Sequence, residues 1–331
     1  MSKMKAAIDK RDKIARMGEA EKPKCNDDEM LIRALYTGIS NGTARNMFVG
    51  ESYASDAFPN FHNYQMVGRV EECGKCIKNY NIGDIIYSGT FTGYVEYFTV
   101  REEDLIAKLP PTINPKEAVY FGASGVGLHI IARADVQPFD KVLMFGAGVI
   151  GLFAAQAAQV FGTEVTIVDV NEKRLRVAKE VGVDHVVNLS TPAGRSELDA
   201  LAPFDIVFDV TARIDGKELL EDIVGLGVDG ASLLGQYGKL VLTTGRYSIR
   251  YDFNAAQEKE IRILHVNHFL QEDLDNLVRL VDEGRIKIGP LITRNEPIDN
   301  MPKIYSILVE NPSELLGTVF DWTGIDATLL K

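Results

Sequence analysis

Apolar and polar positions follow two different rhythms along this 331-residue chain. Up to about residue 110, short runs rich in β-branched and aromatic residues lie between Gly, Asn and Asp; they predict strands at 29–36, 66–72, 85–88 and 94–100. After Pro110-Pro111 the texture changes. Helical periods at 116–134, 149–161, 173–181 and 219–226 alternate with apolar runs at 141–145, 165–170, 185–188, 206–210 and 239–243, each the length of a buried strand. Strands alternating with helices of this size predict a parallel sheet covered on both faces. From about residue 289 to Trp322 the rhythm is lost, so this tail is expected to pack back on the N-terminal strands. The chain is also longer than one hydrophobic core usually grows. The expectation is an α/β protein in which a doubly wound parallel-sheet domain at 116–289 is inserted into a β-rich domain built from 1–115 and 290–331.

One segment of the alternating part carries chemistry. The apolar strand 141–145 runs straight into Gly146-Ala147-Gly148-Val149-Ile150-Gly151 and then into a helix. In that context Gly146 permits the tight turn, Gly148 lets the backbone approach a pyrophosphate, and Gly151 lets helix and strand pack closely. The amides that open the helix, at Val149 and Ile150, and the helix dipole then hold the phosphates. The next strand ends in Asp169, 18 residues beyond Gly151, where a carboxylate accepts hydrogen bonds from ribose hydroxyls and repels a 2′-phosphate. This is the fingerprint of a Rossmann domain that binds NAD rather than NADP. Lys173 and Arg174 either contact an adenosine phosphate or stay solvated as first-turn charges.

Composition narrows the partners. With 36 basic and 47 acidic residues the net charge is −11, the wrong sign for a nucleic-acid footprint. No apolar run is long enough to span a bilayer, no basic amphipathic stretch suits a membrane surface, and the first residues lack the apolar core of a secretory signal. A cytoplasmic protein with small-molecule partners is expected. The three cysteines, Cys25, Cys73 and Cys76, make no disulfide framework. The C-x-x-C at 73–76 reads as a hairpin turn around Gly74-Lys75 rather than a redox pair or half a zinc site.

Strand-rich ends around a Rossmann insert, together with four motifs, resemble the medium-chain dehydrogenase/reductase family of the zinc alcohol dehydrogenase type, over residues 4–322. Residues 37–43 (Thr-Gly-Ile-Ser-Asn-Gly-Thr) resemble its catalytic-cysteine loop, and residues 64–70 stand where the family has G-H-E-x-x-G-x-V. Residues 82–86 are similar to its V-G-D-x-V turn, and residues 240–245 resemble the strand whose end meets the nicotinamide. The resemblance implies a GroES-like fold for the β-rich domain, cofactor contacts at Thr211, Thr243 and Thr244, and a homodimer or homotetramer. At the family's three catalytic zinc positions this chain has Ser40 or Asn41, Tyr64 and about Gly122, and Gln65 replaces the adjoining Glu. The four-cysteine structural zinc lobe is missing as well. The wording is similar to a zinc-less branch that includes enzymes like 3-hydroxyethyl bacteriochlorophyllide dehydrogenase and some cyclitol or sugar dehydrogenases.

Without zinc, hydrogen-bonding side chains must stabilise the developing oxyanion and take the carbinol proton. Tyr64 suits that task, as donor or base, unless it merely fills a cavity. Ser40 and Thr43 can relay a proton or act as turn residues, and Asn41 can orient the substrate oxygen. His62 is either a base or a surface histidine, while His265 and His268 fall at the outer pocket or a subunit interface. The leading expectation is a zinc-independent, NAD-dependent oxidoreductase of a secondary alcohol on a polyol, cyclitol or sugar-like molecule. The alternatives are an enoyl or quinone reductase, or a reductase like the bacteriochlorophyllide enzyme, and a non-catalytic NAD(H)-binding sensor.

Overall fold

Period-two alternation organises the strand Met30–Gly38: Met30, Ile32 and Ala34 enter one core with Met66, Val70, Ile86 and Phe98. The computed structural model describes residues 3–8, 14–49, 63–211, 233–245, 251 and 253–325. They divide into two compact units, one comprising 1–123, 270–284 and 291–331, the other 124–269 and 285–290.

The first unit is built on a seven-stranded sheet. Its spatial order is Ile292–Pro297, Gly317–Asp321, Met30–Gly38, Met66–Cys73, Ile85–Ser88 and Ile106–Lys108, with Tyr97–Val100 also paired to Met30–Gly38. All neighbours are antiparallel except Ile292–Pro297 and Gly317–Asp321. The tail does return to the N-terminal strands: Val319 lies opposite Gly38, and the buried Trp322 indole donates to Thr37 Oγ1 at 3.0 Å. A hairpin of Lys3–Ala7 and Met17–Glu21, unmarked in the sequence pattern, stands beside it.

Several local expectations need correction. The strand expected at 94–100 covers Tyr97–Val100, with Val95 making an isolated bridge to Ala6. The loop expected at 37–43 ends at Ser40, and Asn41–Val49 is helical. The single helix expected at 116–134 is two, Pro115–Ala118 and Phe121–Arg133, the first opened by the Asn114 side chain accepting from Lys116 N. Helix Gln271–Asp282, inside the span 116–289 expected for the inserted domain, falls in the first unit, where Gln271 Nε2 donates to Ile106 O at 2.9 Å. The turn at Gly74-Lys75 is as expected, and all three cysteines are free. The helix expected at 219–226 lies outside the described residues.

The second unit holds six parallel strands in the spatial order His185–Asn188, Glu164–Asp169, Lys141–Phe145, Phe204–Asp209, Leu234–Leu242 and Arg262–His265. That is the doubly wound Rossmann order, in which the strand order reverses between Lys141–Phe145 and Phe204–Asp209. Among the described residues no helix is long and apolar enough to cross a membrane.

Candidate active site

The second unit carries its chemistry at the switch point, outside the carboxyl ends of the two strands where the order reverses. Gly146 leaves Lys141–Phe145 at φ +104°, a left-handed conformation that strains any other residue. Gly148 is the N-cap of the helix Val149–Val160 and has no side-chain cap, and a Cβ built on it would meet nothing within 4 Å. Open space therefore lies beside the helix start at Val149 and Ile150, as an approaching phosphate requires. Gly151 is the tightest point, since a Cβ there would fall 2.0 Å from the carbonyl oxygen of Gly146.

Asp169 does more than the sequence suggests. One carboxylate oxygen accepts from the amides of Val170 and Asn171 at 2.7 and 2.9 Å; the other accepts from Ala147 N at 2.7 Å, inside the glycine turn. Arg174 stands 3.9 Å from the same carboxylate. Thr211 donates through both its amide and its hydroxyl to Asp209, at 3.0 and 2.6 Å, and Thr243 Oγ1 donates to the Asp209 carbonyl at 3.1 Å, with Thr244 following. Sequence reasoning missed the fully buried Asp209; the signal was an acidic residue directly after the apolar run Ile206-Val207-Phe208. Asp169→Ser is expected to lower NADH affinity at least tenfold and raise NADPH use relative to NADH, because it removes both the repulsion and the anchor on the turn. Fluorescence titration with both cofactors checks this; an unchanged preference would take Asp169 out of cofactor recognition.

In the first unit, the structure brings Ser40, Thr43 and Tyr64 together. The Tyr64 hydroxyl donates to Ser40 Oγ at 3.2 Å, and Ser40 Oγ donates to Thr43 Oγ1 at 3.4 Å. Asn41 faces elsewhere, its amide nitrogen donating to the Leu315 and Leu316 carbonyls at 3.2 and 2.9 Å. The ambiguity between Ser40 and Asn41 is thereby resolved: the residue that meets Tyr64 is Ser40. His62 lies outside the described residues. His265 closes the edge strand Arg262–His265, and His268, at φ +57°, stacks on Phe269 with ring centroids 4.7 Å apart.

Around Tyr64 the packing is close. Its ring is buried, with the half-exposed Phe91 5.4 Å away, and its carbonyl accepts from the Tyr87 hydroxyl at 2.8 Å. Burial drives the Tyr87 phenol well above its ordinary pKa, so it stays a donor. Burial likewise raises Tyr120, whose hydroxyl joins Thr318 to Ile39. Gln65 is fully buried; its Oε1 accepts from Ala123 N at 3.2 Å, while its Nε2 is buried without a partner. A carboxylate here would be desolvated by this burial. Gln65→Glu is therefore expected to have a raised folded-state pKa, and its stability falls away from wild type as pH rises through and above the ordinary glutamate range. Thermal melts at about pH 5 and about pH 8 check the sign. A variant closer to wild type at the higher pH would refute it.

Residues 149–283 match a family model described as zinc-binding dehydrogenase. L-threonine 3-dehydrogenase of Protochlamydia amoebophila is 24% identical over 334 residues, which cover 89% of this chain and 92% of that protein. Sorbitol dehydrogenase of Halalkalibacterium halodurans is 23% identical, over 87% of this chain and 90% of that one. An E. coli alcohol dehydrogenase solved with NADH has a TM-score of 0.83 at 18% identity, covering 97% of this chain and 100% of that chain. This is the fold of the medium-chain alcohol dehydrogenases. The chain is thus similar to zinc-type dehydrogenases over 149–283 and to L-threonine and sorbitol dehydrogenases over most of its length. The expected combination of a Rossmann domain and a GroES-like domain is the architecture observed.

Proposed function

We propose that this protein is an NAD-dependent oxidoreductase that interconverts a secondary alcohol and a ketone on a polyol, cyclitol or sugar-like substrate, without zinc. The observation that carries the reading is the hydroxyl chain from Tyr64 through Ser40 to Thr43, formed by residues at the family's metal-ligand position and its loop.

The residues at the three ligand positions do not suit zinc, which prefers thiolate, imidazole or carboxylate. Ser40 and Tyr64 offer neutral hydroxyls already bonded to each other, and Gly122 has no side chain to offer. Among the described residues no three His, Cys, Asp or Glu side chains are grouped to hold a metal. The chain's own hydroxyls must then do the work. Tyr64 donates to the carbinol oxygen or accepts its proton; as it accepts, its own proton passes to Ser40, that of Ser40 passes to Thr43, and Thr43 releases its own to water. NAD, when bound, supplies the hydride acceptor. The open Gly148 and the uncapped helix start are suited to its pyrophosphate, and Asp169 is suited to its ribose. The clustered hydroxyls of Tyr64, Ser40 and Thr43 favour a hydroxyl-rich substrate, and relatives such as sorbitol dehydrogenase point the same way.

The test pairs cofactor titration with turnover. NADH is expected to bind at least tenfold more tightly than NADPH, and oxidation of at least one member of a panel of sorbitol, xylitol, myo-inositol and 2,3-butanediol is expected to survive exhaustive chelation. Preference for NADPH would favour an enoyl or quinone reductase; activity lost to chelator and restored by zinc would overturn the metal-free mechanism. Tight NADH binding with no turnover on alcohols or ketones would favour a sensor.

A further inference from the structure

We propose that Gly122 and Tyr87 are positioning residues whose task is to hold the Tyr64 hydroxyl on Ser40. The inference rests on the proposed role of Tyr64 and adds what makes that role geometrically possible.

A phenol ring turns easily about its bond to Cβ, and its hydroxyl lies at the far end of the lever. The bond to Ser40 Oγ, at 3.2 Å, is long for a hydroxyl pair and a weak clamp for such a group. Three further contacts fix it. Tyr87 donates to the Tyr64 carbonyl at 2.8 Å and so pins the main chain at the base of the lever; the Tyr87 ring is itself packed 5.7 Å from Phe121. Gln65, the next residue, ties this strand entry to the start of the helix Phe121–Arg133 through Ala123 N. That tie brings Gly122 against the Tyr64 ring. A Cβ at 122 would lie 2.8 and 2.9 Å from Cε2 and Cδ2 of Tyr64 and 2.7 Å from the Tyr87 hydroxyl oxygen. Phe91 closes the remaining side at 5.4 Å.

Helix propensity gives no reason for a glycine here, since glycine in a helix costs about 1 kcal/mol relative to alanine. Steric need does. Any side chain at 122 must rotate the Tyr64 ring off Ser40, displace the Tyr87 hydroxyl, or break the Gln65–Ala123 bond. Positions 64 and 122 thus form a reciprocal size pair: an aromatic ring at one requires a bare backbone at the other.

A double-mutant cycle on the full-length protein tests this, with kcat, KM, NADH affinity and melting temperature read on a substrate the wild type turns over. Gly122→Ala and Tyr87→Phe are each expected to lower kcat at least tenfold with NADH affinity unchanged. In a Tyr64→Phe background the same changes should lower kcat less than twofold further, because no hydroxyl remains to misplace. Equal fold-losses in both backgrounds would assign the two residues a purely structural role and overturn the inference. So would full activity of both single variants. If Gly122→Ala does not fold, Tyr87→Phe, which removes one oxygen and leaves the ring, decides the matter alone. Full activity of Tyr64→Phe would instead overturn the proposed role of Tyr64, and the positioning inference with it.

Discussion

Gly151→Ala is expected to abolish measurable NADH binding and to destabilise the Rossmann unit by more than about 3 kcal/mol. A single methyl group has this effect because of what it meets. The Cβ would sit 2.0 Å from the Gly146 carbonyl oxygen and 2.9 Å from Val210 Cγ2, and the nearer atom is backbone. A flexible side chain could swing aside; this carbonyl is fixed by a residue held at φ +104°. Relief comes only by lifting the helix Val149–Val160 off the sheet, which moves the phosphate-facing amides with it. Gly148→Ala is the control, since its Cβ enters open space: the melting temperature should stay near wild type while NADH affinity falls. Fluorescence titration and thermal melts separate the two outcomes. A Gly151→Ala protein that binds NADH normally would refute this account of the turn.

Tyr64→Phe is expected to lower kcat at least a hundredfold, within the range for loss of a positioned acid–base group. The substitution keeps the ring that packs on Gly122 and Phe91, so the melting temperature should hardly move. Ser40 keeps Thr43 as its partner, and the glycine turn and Asp169 are unaltered, so NADH affinity should be unchanged. The signature is therefore a fall in kcat alone. Steady-state kinetics beside NADH titration reads it, and wild-type kcat in this variant would remove Tyr64 from the mechanism.

How far the sequence reveals the molecule depends on how local each feature is. The run from Gly146 to Asp169 is legible because strand, turn, helix and strand follow one another, and each glycine's task is set by its near neighbours. The strands of the first unit are legible through their alternation. Helix Gln271–Asp282 is misassigned because the expected domain boundary lies at Gly289-Pro290, while its partners, such as Ile106, are far away in sequence. The same holds at the candidate site. Residue types make Ser40, Asn41 and Tyr64 candidates for replacing a metal, but only the fold shows Asn41 turned to Leu315 and Leu316 and Ser40 turned to Tyr64. Gly122 carries no pattern of its own; its importance comes from a ring 58 positions earlier in the chain. Asp209 hides for a similar reason, because a buried carboxylate is intelligible only once its Thr211 donors are seen.

The pairing of Gly317–Asp321 bears on how the chain is made. One side of Met30–Gly38 is shared: Met30 to Arg33 pair with Tyr97–Val100, whereas Tyr36 to Gly38 pair with Val319 to Asp321. A ribosome delivers every piece of the Rossmann unit, through residue 290, before it delivers the strand that covers Tyr36 to Gly38. During synthesis the Rossmann unit is therefore complete while the strand leading into Ser40 still has a bare edge, of the kind that invites pairing with a foreign strand. The segment that carries the proposed proton relay is thus sheltered in the nascent chain only after residues 124–290 have emerged.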